Sequence, residues 1–397
     1  MHVVFVHRAG SGQFAALIAS LVAQGVEVSL ITERPEQEQP GVRQLVYSVE
    51  ETATRHAALA ATEYHLRTGE AVAQLMERLK NTDPPDVVLG HIGWGGLLFA
   101  RDALPDAALI GYCEYYYRST GSDLDFGVSD PVPSADRYRV RMRNAAQLLA
   151  LDALDAAYAP TQWQRQQYPP AYRKRIAVCH DGIDTAFCRP DAEATFVLPD
   201  GRVLTPGSPV VTFVARDLDP YRGYPQFMRA AALLAARHPN LVFVVIGGDG
   251  AGYGRPRSDD NSWREAMCAE TGLGDRIVHI PWLPYANLVR LFQVSAAHVY
   301  LTVPFVLSWS LLEAMACGCL VIGSDTEPVK EVIRDGGNGL LTPFHDEQLL
   351  AERIEHALAQ PAWARSLRRA ARDTVIAGYE RERCIDRQIG WIRQFGE

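Results

Sequence analysis

A short unbroken run of apolar residues, bounded by loop residues, marks a strand buried on both faces, and such strands occur in parallel sheets covered by helices. The chain opens with one, residues 2–7 (HVVFVH). The loop Arg8-Ala9-Gly10-Ser11-Gly12 follows, then a helical pattern over 13–24 closed by Gly25, then a second strand over 26–32. Strand, glycine-containing loop, helix and strand form the start of a doubly wound sheet. The alternation continues with strands at 86–90, 108–113, 156–159 and 176–179, a helix from Leu97 and another over 145–155. Residues 191–209, with Pro199, Gly201, Pro206 and Gly207, read as a linker or hairpin. A second series then begins, with strands at 210–215, 241–247, 277–280, 298–301 and 320–323, and helices after them, the first over 226–237. Residues 361–395 read as helical, rich in arginine, and crossing back to the first half.

The expected fold is therefore α/β, with two Rossmann-like doubly wound domains facing across a cleft. The first covers 1–190 and is joined by a C-terminal helix at about 379–397; the second covers 191–378. A length of 397 residues fits two domains. Hydrophobic residues at 48% and charged residues at 22% exclude a disordered or fibrous chain. The net charge of −8 argues against nucleic acid as a partner. The seven cysteines are odd in number and lack metal-site spacing, Cys317 and Cys319 included, which fits a reducing, cytoplasmic compartment. Residues 1–7 read as a strand without the basic leader of a signal peptide, and no apolar run reaches the ~18–20 residues that span a bilayer. Peripheral contact with a membrane stays open.

Ligands of open parallel sheets bind beyond the carboxyl ends of the strands. Three loops there carry chemistry. In Gly10-Ser11-Gly12, glycines let the backbone approach an anion at a helix start, although a tight turn explains them equally. Glu33, at the end of the second strand, is a poor candidate for a ribose-binding acid. In VARDLDPYRG, Arg216 ends a strand and Arg222 follows a turn, so two guanidinium groups are placed to clamp a diphosphate; solvated surface arginines are the plain alternative. In FVLSWSLLEAMACG, Ser308 and Ser310 precede an apolar helix with Glu313 in its expected first turn. A carboxylate there can accept hydrogen bonds from both ribose hydroxyls, or simply cap the helix.

The run from Leu311 to Ile333 (LLEAMACGCLVIGSDTEPVKEVI) resembles the donor region of the retaining glycosyltransferases of family 4, which have the GT-B fold. Arg216, the Arg222-Gly223 turn, Gly248-Asp249-Gly250, and Cys179-His180-Asp181-Gly182-Ile183-Asp184 match the same family in order. Gly12-Gln13-Phe14 resembles a subgroup with that turn after its first strand. The resemblance implies that Arg216 and Arg222 hold the donor diphosphate and that Glu313 binds its ribose. It places Trp282 and Leu283 beside the base, with Ser308, Ser310 and Leu311 at the donor helix. It also gives Gly12 the role of making room for donor phosphate or acceptor. Glu114, where many relatives have a histidine, and His91 become candidates near the transferred sugar, His91 weighed against a purely structural role. It implies a nucleotide-sugar donor as co-substrate, UDP-linked before GDP-linked, a glycan or small-molecule acceptor, and no metal or other cofactor.

One departure stands out. Many relatives carry two glutamates with seven residues between them; the second is Glu313 and the first falls on Phe305. A non-catalytic sugar-nucleotide or glycan-binding protein is therefore a competing expectation, alongside an epimerase or a phosphorylase on the same fold. Lys330 is the one lysine near the donor helix that a phosphorylase cofactor would use. Ser258-Asp259-Asp260 reads as loop rather than a metal site. Arg137 and Arg141 share a helix face, with solvation weighed above docking of an anionic acceptor, and Tyr115-Tyr116-Tyr117 offers rings to a sugar or to packing.

Overall fold

Alternate residues of the opening strand feed two cores. Val3 and Phe5 enter one, Val4 and Val6 the other, as the two-residue period of a strand requires. The computed structural model describes residues 1–50, 56–250, 252–254, 257 and 259–396. The chain divides into two compact units, residues 1–182 with 382–397, and residues 183–381.

In the first unit, β1 (His2–Val6), β2 (Glu27–Thr32), β3 (Val42–Val46), β4 (Val87–His91), β5 (Ala108–Tyr112), β6 (Ala156–Ala159) and β7 (Ile176–Val178) form one sheet in the order β3-β2-β1-β4-β5-β6-β7. Every pairing is parallel, with Val3 opposite both Val28 and Val87. The strand order reverses between β1 and β4, so the crevice expected to take a ligand opens beyond His7 and His91. Helix Arg381–Gly396 returns to this unit and sets Ile385, Ile389 and Ile392 on the face that carries Val3, Phe5 and Leu30.

The second unit begins with the two-stranded hairpin of β8 (Phe196–Val197) and β9 (Val203–Leu204). Its sheet contains β10 (Val210–Asp217), β11 (Val242–Gly248), β12 (Ile277–Ile280), β13 (Ala297–Tyr300), β14 (Val321–Ser324) and β15 (Leu340–Thr342), in the order β12-β11-β10-β13-β14-β15 and again parallel throughout. Here the order reverses between β10 and β13. Among the described residues, no helix is long and apolar enough to cross a membrane.

Several elements depart from the sequence expectation. The helix expected from Leu97 is one turn, Ala100–Ala103. The helix expected over 361–395 is two, Pro361–Tyr379 and Arg381–Gly396, broken where Glu380 is extended. β3, β15, helix Ala60–Thr82 and helix Glu347–Ala359 had no counterpart in the sequence reading. β3 is an edge strand with no fully buried residue, so its sequence VRQLV never forms an apolar run. Helix Ala60–Thr82 buries only a narrow stripe, including Val72, Met76 and Leu79, beneath a polar surface.

Three histidines are locked in these interiors. Burial pushes His298 down to about 3, with one ring nitrogen against Thr212 Oγ1 at 3.0 Å. Burial alone takes His180 to about 4. Burial, then the charges of Arg143, Arg8 and His91, takes His65 to about 4. Their ordinary value is 6.5, so on acidification the unfolded chain binds the protons first. The stability these neutral rings supply is complete above pH 6.5 and is lost as the pH falls toward their folded values. On the order of 2 kcal/mol per ring should disappear between pH 6.5 and 5. The melting temperature should drop over that interval, and drop less steeply in His65→Gln; an equal slope would contradict the assignment. Ile392→Ala, at a fully buried position, should cost about 3 kcal/mol in denaturant unfolding. An unchanged midpoint would mean that the returning helix contributes nothing to the first unit's core.

Candidate functional site

At the reversal in the second sheet, β10 ends in Arg216 and Asp217, and the chain turns through the 3-10 segment Pro220–Arg222. The turn is organised by Asp219, whose buried carboxylate accepts the N–H of Arg222 at 3.0 Å and that of Tyr253 at 2.8 Å. Burial raises its pKa and outweighs these two bonds and the nearby Arg222 charge. Gly252 lets the loop pass close by, since a Cβ there would overlap the Asp219 carboxylate.

Arg222 is fixed by one nitrogen. Its Nη1 donates to Tyr300 Oη at 3.2 Å, Thr302 Oγ1 at 3.0 Å and the Val306 carbonyl at 3.1 Å. Arg216 is different: its side chain is 70% exposed, with Nε bonded to Asp217 at 3.2 Å. The Tyr253 ring lies 5.1 Å from the Arg216 guanidinium carbon and 5.4 Å from that of Arg222, so one aromatic ring serves two cations. Both arginines, Tyr253 and Ser308 line a cavity of about 80 Å³. Phe305, buried beside it, packs on Tyr253 at 4.9 Å and edge-on to Tyr221 at 5.9 Å. The position at which the family resemblance leads one to expect a carboxylate thus belongs to an aromatic cluster.

The next helix is Trp309–Ala316, with Ser308 as its N-cap. The Ser308 N–H donates to Tyr300 Oη at 2.7 Å, and its Oγ lies 3.0 Å from Ser310 Oγ. Ser310 lies inside the helix rather than before it. Glu313 is the fifth helical residue, not in the first turn, which excludes the capping role. It is buried, and its Oε1 accepts the Tyr285 hydroxyl at 2.9 Å. Burial pushes its pKa up, and the Tyr285 bond partly opposes this. Tyr285 in turn lies 3.3 Å from Cys188 Sγ and stacks on Phe187 at 5.6 Å. The Leu311 side chain is wholly buried in the core with Leu312 and Met315, so only its backbone is suited to a ligand. Trp282 is 72% exposed, three residues before Tyr285, whereas Leu283 packs on the cluster of Phe196 and Ile246.

The first unit brings other candidates together. The His91 Nδ1 accepts the Gly93 N–H at 3.0 Å, so its proton sits on Nε2, which donates to Glu114 Oε2 at 3.1 Å. Glu114 Oε1 accepts Gln13 Nε2 at 2.9 Å. Burial raises the Glu114 pKa, but bonding and charge from His91, the charge of His7 and the Gln13 bond outweigh it and hold the carboxyl below its usual range. Gly12 does not open the space expected of it: a Cβ there would strike the His7 ring, which fills that volume. Nearby, Glu33 accepts Arg8 Nε at 2.7 Å and the Tyr64 hydroxyl at 2.6 Å, so it acts as an anchor for Arg8. The Arg8 guanidinium lies 4.8 Å from the Tyr64 ring and 5.5 Å from Trp94. Arg143 sits over Tyr117 at 3.8 Å, while Arg137 and Arg141 are exposed. The ring nitrogen His65 Nδ1 is buried without a partner.

Other sequence candidates fall away. Asp259 pairs with Arg257 at 2.6 Å, and Ser258 lies outside the described residues. Lys330 is held by Glu327 at 2.7 Å and Asp325 at 3.3 Å. Tyr115 is buried, with its hydroxyl 2.5 Å from Ser122 Oγ. Sequence reasoning missed Asp219, although it lies within VARDLDPYRG, and it missed Tyr253, Tyr285 and Tyr300, which lie outside the quoted motifs and which only the folded chain assembles.

Two family models match in succession: the glycosyl transferase family 4 group over residues 24–188 and the glycosyl transferases group 1 over residues 201–374. The D-inositol 3-phosphate glycosyltransferase of Nocardia farcinica is 32% identical over 200 residues, 48% of this chain and 42% of that protein. The alpha-maltose-1-phosphate synthase of Mycolicibacterium smegmatis is 28% identical over 261 residues, 61% of each. These matches span less than two thirds of the relatives' own length. Among solved structures, sucrose-phosphate synthase of Thermosynechococcus elongatus aligns over 99% of this chain and 98% of its own, with a TM-score of 0.75 at 19% identity. Anabaena HepE in complex with UDP-glucose aligns over 99% and 100%, with a TM-score of 0.73 at 15% identity. The fold is GT-B. The two family models between them span nearly the whole chain, and the chain belongs to glycosyltransferase family 4.

Proposed function

We propose that the chain is a retaining, metal-independent glycosyltransferase that moves a sugar from a UDP-sugar, or in second place a GDP-sugar, to a hydroxyl of a glycan or small-molecule acceptor. The observation that carries this reading is the arginine pair at the end of β10. Arg222 is fixed by three bonds and Arg216 is exposed beside it, an arrangement suited to a diphosphate whose charge grows as the sugar leaves. Glu313, oriented by Tyr285, supplies the acceptor for ribose hydroxyls. The relation to HepE, solved with UDP-glucose, supports UDP as the first donor to test.

The acceptor belongs to the first unit in this reading. Arg8 against Tyr64 and Trp94, Arg143 on Tyr117, and the unpartnered His65 nitrogen suit a hydroxylated acceptor with an anionic group. Relatives named for inositol 3-phosphate support that choice. The hydrogen-bonded His91–Glu114 pair holds a fixed negative charge there, and the departing phosphate takes the acceptor proton. Phe305 favours a second reading, a sugar-nucleotide-binding protein without turnover, because it replaces a carboxylate that relatives direct at the sugar.

UDP at 100 times its dissociation constant should stabilise the protein by ~2.7 kcal/mol in a thermal-shift experiment, and Glu313→Ala should abolish the response. A response retained in that variant would remove Glu313 from the site. Since burial raises the Glu313 pKa and Tyr285 opposes the rise, UDP affinity should decline on acidification, and Tyr285→Phe should move the decline to higher pH. A merely structural tyrosine would weaken binding at every pH alike. Arg216→Ala should lower kcat by about a hundredfold with much less effect on donor Kd. A change confined to Kd would leave the binding-protein reading standing.

A further inference from the structure

The opposite end of the second sheet holds a larger cavity, of about 540 Å³. It opens where β10, β11 and β13 begin, since Pro209, Leu241 and Ala296, each one residue before its strand, line it. β10 has eight residues, so about 25 Å of strand separates this cavity from the Arg216 end. The volume lies in the range of small-molecule sites, about 300–1,000 Å³.

Its chemistry is two-sided. Leu241, Leu358 and three prolines give it apolar walls. Arg237, Arg365 and Arg368 give it cations, and His238 lies among them. Arg237 and His238 are already paired, both with Glu355, at 2.7 and 2.6 Å. Arg365 and Arg368 are not. They lie three residues apart on helix Pro361–Tyr379 and so share a face. Arg368 Nη2 donates to the Ala296 carbonyl, while its Nε is buried with no hydrogen-bond partner. Among the described residues, neither arginine pairs with a carboxylate. Two uncompensated guanidinium groups match a group carrying −1.5 to −2 charges at neutral pH, the charge of a phosphate monoester.

We propose that this cavity binds a small organic monophosphate, with its phosphate on Arg365 and Arg368 and its apolar body against Leu241 and Leu358, independently of the donor site. Phenyl phosphate is a suitable probe, with phenol as its uncharged counterpart. Titration calorimetry on the full chain, with UDP present in saturating amount, should show binding of phenyl phosphate and none of phenol. Arg365→Glu, at an exposed position, should weaken it about tenfold or more, and Arg216→Ala should leave it unchanged. Leu358→Glu, which puts a negative charge on the apolar wall, should also weaken it. The proposal is overturned if phenyl phosphate does not bind at millimolar concentration. It is equally overturned if binding survives both Arg365→Glu and Leu358→Glu, or is lost in Arg216→Ala, which would assign the heat to the donor end. Failure of UDP itself to bind would count against the transferase reading and leave this test intact.

Discussion

Asp219 is a carboxylate taken almost wholly out of water, and the geometry at the end of β10 depends on how it is satisfied. A buried charge of this kind is tolerated only when donors surround it. Here the donors are the backbone N–H groups of Arg222 and Tyr253, from two separate loops. By drawing both in, Asp219 sets the 3-10 turn that aims Arg222 at β13 and brings the Tyr253 ring under both guanidinium groups. Gly252 is needed because nothing larger than hydrogen fits against that carboxylate. The paired arginines are thus a product of one anion beneath them. Removing it would release two loops at once and leave Arg222 tied only from the β13 side.

What the sequence disclosed follows from physical visibility. Fully buried strands write themselves as apolar runs, and for this reason β1, β4, β10 and β11 were readable to within a residue or two. β3 lies at an edge and mixes Arg43 and Gln44 with valines, so it carried no run to read. Arg216, Arg222 and Glu313 were visible because a strand end, a turn and a helix each have local signatures. Their roles partners were not. Tyr285 lies 28 residues before Glu313 in the chain, and nothing local predicts that its hydroxyl meets that carboxylate. The first-turn placement of Glu313 failed by one turn because the helix begins at Trp309, after an irregular segment whose Ser308 N–H is captured by Tyr300.

Phe305 shows how an aromatic ring fits where the family resemblance leads one to expect a carboxylate. A glutamate at this buried position would need donors, but its neighbours Tyr221 and Tyr253 present ring faces and edges. The cluster is consistent within itself, and it exchanges a directional contact for a surface that favours the C–H faces of a ligand. Tyr253 joins the two halves of this arrangement, touching Phe305 on one side and the arginines on the other.

The return of helix Arg381–Gly396 has a consequence for the order in which the molecule can be built. The face of the first sheet formed by Val3, Phe5 and Leu30 is covered in part by Ile385, Ile389 and Ile392. During synthesis the chain reaches those residues only after all of 183–381 has emerged. The second unit is continuous in sequence and can close as soon as it leaves the ribosome. The first must wait with apolar surface uncovered, the condition under which a nascent chain is most open to chaperones and to association with its neighbours.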